Sequence, residues 1–171
     1  MLDTLTITAA TLADVPALKA LLESAYRGDS ARQGWNHEAD ILDDERIGTG
    51  ELETMLADAA VTVLTARNGD HLIGCVAVTR KDTSLAYLGM LCVAPTLQSS
   101  GLGRKLLDAA EDLARSEGIA VMEMTVIDSR TALIAWYERR GYAFTGETRP
   151  FPVLRDPPVT FVVLEKRLGS A

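Results

Sequence analysis

The apolar positions change period several times along the chain, and each change predicts an element. Residues 5–8 alternate like a short strand. Asp14 then precedes Val15, Leu18, Leu21, Leu22, Ala25 and Tyr26, a helical stripe that runs out at Gly28. Pro16 suits the first turn of that helix, where its missing N–H would have no partner. From 29 to 50 the period lapses: Trp35, Ile41, Leu42 and Ile47 stand isolated among Glu38, Asp40, Asp43, Asp44 and Glu45. That stretch reads as a loop with room for a short helix or two. Leu52, Met55, Leu56 and Ala59 predict a brief helix, and residues 61–66, rich in β-branched side chains, a strand.

Asn68-Gly69-Asp70 predicts a tight hairpin, with Asn68 and Gly69 both suited to positive φ, joining that strand to residues 72–80. Asp82 and Thr83 mark a second turn before 85–93, whose nearly continuous apolar run predicts a strand buried on both faces. A polar, glycine-containing loop follows Pro95 and leads into an amphipathic helix. Leu102, Leu106, Leu107, Ala110, Leu113 and Ala114 form its apolar face, and Gly118 is placed to cap it. Residues 119–127 predict the next strand, 131–140 a helix closed by Gly141, and 142–147 with 159–166 a last pair around a loop holding Pro150, Pro152, Pro157 and Pro158. Strand, loop, helix and strand over 85–127 make a crossover long enough for parallel pairing, right-handed by the usual rule. The fold class predicted is α/β: one domain over 1–171, with a mixed, mostly antiparallel sheet of about seven strands flanked by helices.

Composition agrees. The 171 residues are 47% apolar and 24% charged, enough for one real core, and 13 Gly with 6 Pro exclude fibrous or disordered chains. Seventeen Lys and Arg against twenty-four Asp and Glu give −7, a surface that repels nucleic acid and obliges any polyanionic ligand to be held locally. Met1-Leu2-Asp3-Thr4 puts an acid where a leader carries base, and no stretch approaches the roughly 18–20 apolar residues of a membrane span, so the expectation is a cytoplasmic protein without a membrane partner. Cys75 and Cys92 lack CxxC spacing, and His37 and His71 cannot complete a metal shell with them. Buried structural thiols, with no metal, are the expectation.

The chemistry-bearing stretch is Leu91-Cys92-Val93-Ala94-Pro95-Thr96-Leu97-Gln98-Ser99-Ser100-Gly101-Leu102-Gly103-Arg104. A buried strand delivers the chain to a glycine turn whose amides can approach a ligand closely, at the positive end of a helix; that combination binds phosphate. Arg104 and Lys105 in the first helical turn oppose the dipole, and make sense beside a pyrophosphate. The pattern GxxxxGK[ST] is absent, and Leu106 occupies the third glycine position of GxGxxG, which counts against a nucleotide-dependent oxidoreductase.

The spacing Gln98-x-x-Gly101-x-Gly103 resembles the Q/R-x-x-G-x-G/A motif of the GNAT superfamily of acyl-CoA-dependent N-acyltransferases, and Ala135-Trp136-Tyr137-Glu138-Arg139-Arg140-Gly141-Tyr142 resembles its YxxxG[FY] element. The order of predicted elements is also the family's. The resemblance implies that Gln98, Ser99, Ser100, Gly101, Leu102, Gly103 and Arg104 hold the pyrophosphate of acetyl-CoA or coenzyme A. It further implies that the central strand and its successor splay apart, freeing the backbone at Leu91, Cys92 and Val93 for the pantetheine arm and for polarising the thioester carbonyl.

Helical spacing gives Tyr137 an inward face with Leu133 and Ile134, which suits a core tyrosine; the resemblance implies the general acid for the departing thiolate. A phenol of ordinary pKa, about 10, would then give activity a high-pH limb. Trp136 reads as packing. Two departures stand out: Arg130 where the family often has Asn, and Gly89 where many members carry a glutamate on the central strand. Arg130 is open to a pantetheine carbonyl, a CoA phosphate or solvent. For the general base Glu123 on the neighbouring strand is a candidate, beside Asp82, the acids of 38–45 and a water chain.

Glu38, Asp40, Asp43, Asp44, Glu45, Glu51, Glu53 and Asp58 face only Arg46, which suits a cationic amine acceptor as well as a plain solvated surface. Trp35 beside His37 offers an aromatic wall or a loop anchor. The function implied is acetyl transfer from acetyl-CoA to a primary amine of a small molecule or an exposed amino group. The alternative is a non-catalytic acyl-CoA-binding module, which Gly89 favours and Tyr137 disfavours. Oligomeric state stays open, a homodimer included.

Overall fold

The structure, a computed structural model, describes residues 5–26, 48–97, 100–150 and 159–169. Strands β1 (Leu5–Ala9), β2 (Val61–Asn68), β3 (His71–Arg80), β4 (Leu85–Val93), β5 (Val121–Ile127), β6 (Ala143–Pro150) and β7 (Thr160–Arg167) form one sheet in the order β1-β2-β3-β4-β5-β7-β6. Every pairing is antiparallel except β4 with β5. The helices are α1 (Val15–Tyr26), α2 (Thr49–Ala57), α3 (Leu102–Ser116) and α4 (Thr131–Glu138).

Two apolar layers result. Leu18, Leu22 and Leu52 of α1 and α2 pack on Val63, Cys75, Met90 and Cys92. On the other face Leu102, Leu106, Leu107 and Ala110 of α3 and Tyr137 of α4 pack on Val76, Leu88, Leu91 and Met122. Each fully buried leucine contributes about 1.5–3 kcal/mol, so α3 is anchored firmly to the middle of the sheet, with its N-terminus at the end of β4. Both cysteines are buried in the first layer, opposite one another in the β3–β4 register.

The predicted elements form, with shifted ends. Gly69, at φ 62, supplies the positive φ of the hairpin, while Asn68 stays in β2 opposite His71. β5 starts later than the apolar run because the N–H groups of Gly118 and Ile119 turn back to the carbonyls of Arg115 and Ala114 to close α3. β6 continues to Pro150, opposite Thr160 at the end of an edge strand, where a sheet tolerates proline.

β4 departs most from expectation. Leu85, Tyr87 and Gly89 are only half-buried, while Met90 to Val93 are buried. Ala77 pairs with Gly89 and Cys75 with Cys92, so Val76 alone faces both Met90 and Leu91: a bulge. Met90 takes φ 55, the one non-glycine positive φ among the described residues, a conformation costing roughly 1–2 kcal/mol. The bulge reverses the alternation, so that Ala86 and Leu88 before it, and Leu91 and Val93 after it, all face the α3 layer.

Candidate active site

β4 and β5 pair only from Leu85 opposite Val121 to Tyr87 opposite Glu123; beyond that point the bulged half of β4 has no β5 register partner. The sheet therefore opens in its middle, and the gap lies between the end of β4 and β5. Tyr87 forms its floor, with its hydroxyl 2.6 Å from the Thr125 hydroxyl across the two strands. Beneath it Glu123, 5% exposed, accepts a hydrogen bond from Arg149 Nη2 at 2.9 Å through Oε1, and Oε2 bonds no described residue. Arg149 Nε is held in turn by Glu147, 2.8 Å away, and the two carboxylates keep its guanidinium charged well above the ordinary range.

Tyr137 enters from α4. Its ring is clamped edge-on between Trp136 and Tyr142, at centroid distances of 5.1 and 5.8 Å, and its hydroxyl holds no hydrogen bond to a described residue. Burial pushes its pKa far above the ordinary phenol value, against a smaller downward pull from Arg130 and with a further upward push from Tyr87. Those two residues thus lie within electrostatic reach of the phenol. Arg130 occupies the N-cap of α4 and is half-buried.

Past the end of β4, residues 95–97 make a short turn of 3-10 helix and the chain reaches Gly101, the N-cap of α3, at φ 88. That left-handed conformation turns the chain sharply into the helix without a Cβ in the way. Ser100 Oγ accepts the Leu102 N–H at 3.4 Å; the following first-turn amides have no carbonyl within the helix to bond. Gly103 faces Trp136 and Val93, Arg104 is exposed, and neither Arg104 nor Lys105 forms an ion pair with a described residue. Gln98 and Ser99 lie outside the described residues, as do Trp35, His37 and the acids of 38–45.

Of the residues singled out from the sequence, Ser100, Gly101, Gly103 and Arg104 lie together at the start of α3, Tyr137 is within electrostatic reach of Arg130 and Tyr87, and Glu123 is the register partner of Tyr87. Leu91, Val93 and Leu102 send their side chains into the core, so backbone is what they can offer a ligand. Cys92 points to the opposite layer, its thiol 3.9 Å from the Leu21 carbonyl. Asp82 is spent elsewhere: its carboxylate accepts the N–H groups of Ser84 and Leu85 at 2.8 and 2.7 Å, which holds the β3–β4 turn and lowers its pKa. Tyr87, Thr125 and Arg149 were not legible as site residues. Tyr87 carried one signal, its place two positions before Gly89 on the same face of the strand; Arg149 fell beside the proline-rich loop.

The left-handed turn, the helix amides and the free Arg104 fit a pyrophosphate, and the open sheet fits a slender acyl-bearing arm. The family model for the GNAT acetyltransferase family matches residues 16–142. An IAA acetyltransferase of Azospirillum brasilense is 31% identical over 103 residues, 59% of this chain and 66% of that protein, so the chain spans slightly less than two thirds of the curated relative. The ribosomal-protein-S18-alanine N-acetyltransferase of Escherichia coli shares the fold at a TM-score of 0.75 and 17% identity, over 98% of this chain and 96% of its own. The PaiA N-acetyltransferase of Thermoplasma acidophilum, in complex with coenzyme A, does so at 0.75 and 17%, over 96% and 99%. Among the described residues no helix is long and apolar enough to cross a membrane. With the family model spanning α1 through α4, well over half the sequence, the chain belongs to the GNAT acetyltransferase family.

Proposed function

We propose that this acetyltransferase acts on a primary amine of a small molecule, and that Tyr137 and Glu123 are its acid and base. The observation that carries the reading is the placement of Tyr137: a phenol clamped by two aromatic rings, unbonded, at the gap between β4 and β5 and within reach of Arg130. Acetyl-CoA, when bound, supplies a thioester carbonyl and a thiolate leaving group. Gly101, Gly103, Ser100 and Arg104, with Gln98 and Ser99, hold its pyrophosphate; the backbone of Leu91, Cys92 and Val93 lines the arm. Arg130 neutralises negative charge near the departing sulfur.

Tyr137 gives the thiolate its proton and regains one from the attacking nitrogen, which sheds its second proton as the thioester C–S bond breaks and the amide forms. Because burial keeps that proton on the phenol, the acid form is available throughout the working pH range. Glu123 takes the proton of the incoming ammonium on Oε2, directly or through water, while Arg149 fixes Oε1. A buried carboxylate beside Tyr87 also favours a cationic acceptor over an anionic one, the same class that the acidic composition of 38–45 suits. An exposed amino group of a macromolecule is the other acceptor class; the narrow floor formed by Tyr87 and Thr125 favours the small molecule.

Thiol release from acetyl-CoA across a panel of amines tests the reading. Activity on polyamines or amino-sugar-like amines, with kcat/KM falling as salt is raised, supports it; a salt-insensitive kcat/KM or a preference for neutral or acidic acceptors overturns it.

A further inference from the structure

Three arginines gather beside the cradle with one carboxylate among them. Trp136 packs against the start of α3, where a Cβ on Gly103 would lie 3.7 Å from its Cζ2. Arg140 stacks on Trp136, its guanidinium carbon 3.9 Å from the ring centroid, and donates from Nη1 to the Trp136 carbonyl at 2.9 Å. That leaves Nη2 as the donor able to meet an oxyanion, while Nε is buried and bonds no described residue. Burial, then the charges of Arg104 and Arg139, lower the pKa of Arg140, and only Asp108 acts the other way. Arg104 and Arg139 are exposed and form no ion pair with a described residue. In a chain of net charge −7, three cations that share one carboxylate among the described residues make a local positive patch suited to an anion.

Resting on the coenzyme A reading of the cradle, we propose that Arg139 and Arg140, with Arg104 shared between the two sites, form a second phosphate subsite that takes the 3′-phosphomonoester of coenzyme A. Three guanidiniums less the Asp108 carboxylate leave about +2, and a phosphomonoester carries about −2 near neutral pH. Trp136 meets Gly103 on one side and carries the Arg140 guanidinium on its ring, so the outward Nη2 and the exposed Arg104 and Arg139 stand beside the α3 amides that would take the pyrophosphate. The subsite separates coenzyme A from carriers that share its pantetheine arm and lack the ribose phosphate.

Calorimetric titration with coenzyme A and with 3′-dephospho-coenzyme A tests this on the parent protein and on an Arg139→Ala/Arg140→Met variant, where methionine keeps an apolar stem on Trp136. The parent should prefer coenzyme A by about tenfold or more, and the variant by less than about threefold, with affinity for the dephospho form within about twofold of the parent. Equal binding of both ligands by the parent, or a preference the variant retains, overturns the subsite alone. Failure of the parent to bind either ligand overturns the cradle and the subsite together. If the double variant does not fold, Arg139→Ala alone decides: a preference reduced at least about threefold supports the subsite, and an unchanged one overturns it.

Discussion

The ring of Tyr87 lies over Gly89, so closely that a Cβ on the glycine would sit 3.2 Å from Tyr87 Cε1. The two residues share a face of β4, and the ring leans into the space the absent side chain leaves, which brings the Tyr87 hydroxyl to Thr125 at the last β4–β5 pair. The position where the family resemblance implies a glutamate is thus covered by a phenol.

Gly89→Ala must therefore push the ring by a few tenths of an ångström and strain the bond to Thr125. We expect kcat/KM for the amine to fall about tenfold, with coenzyme A affinity unchanged, because the cradle lies at the other end of the gap. Tyr87→Phe should leave the melting temperature nearly intact, since Tyr87 and Thr125 are both half-buried and water can replace the lost partner, at a cost of about 0.5–1.5 kcal/mol. Its KM for the amine should rise if the phenol floors the acceptor site. Steady-state kinetics beside thermal melts separate the two effects.

Tyr137→Phe keeps the ring between Trp136 and Tyr142 and removes the proton, so kcat should drop by about 10²–10⁴ while stability and coenzyme A affinity change little. Burial raises the phenol's pKa, so the protonated acid persists to higher pH than a free phenol would, and the high-pH limb expected near about 10 should be missing. Arg130 pulls the other way and more weakly; Arg130→Ala should leave the limb missing. A limb near pH 10 in the parent that Tyr137→Phe abolishes would show the phenol to be solvated.

Much of this was legible in the chain because period and turn chemistry act locally. The face of α3, the capping by Gly118 and the glycine turn at Gly101 each follow from residues a few positions apart. The bulge at Met90 did not: an apolar run of Leu88, Met90, Leu91 and Cys92 looks alike with or without an extra residue, and only pairing with β3 reveals that Val76 faces two residues. Nor did the Glu123–Arg149 pair, which joins positions 26 residues apart through a strand ending at Pro150. Cys75 and Cys92 were readable as core residues, and their direct opposition across β3 and β4 was not.

Replacing Gly101 with alanine tests the cradle without adding bulk, since nothing lies within 4 Å of the new Cβ and the left-handed backbone alone resists it. The turn should relax at a cost of roughly 1–2 kcal/mol, and acetyl-CoA affinity should weaken severalfold as the amides lose their aim. Arg104→Ala removes a charge-assisted contact worth about 1–3 kcal/mol and should raise Kd about tenfold without shifting the melting temperature. Equal affinity in both folded variants would place the phosphates elsewhere.

Glu123 and Arg149 can be told apart as base and strut. Glu123→Gln keeps the shape and a weaker hydrogen bond to Arg149, whose guanidinium is exposed enough to be solvated; Arg149→Met leaves a buried carboxylate without its cation. As a strut alone, the pair predicts a lower melting temperature for both variants, worse for Arg149→Met, with kcat/KM of the folded fraction unchanged. As base and positioner, it predicts that Glu123→Gln lowers kcat/KM at neutral pH by about 10²-fold, and that the deficit shrinks as the pH approaches the pKa of the amine, roughly 10 for an alkylamine such as lysine's, where the acceptor arrives already neutral. Arg149→Met should then lose less, because the carboxylate that takes the proton is kept. A deficit in Glu123→Gln that is flat with pH would assign deprotonation of the amine to another group and leave Glu123 as the anchor of β6 on β5.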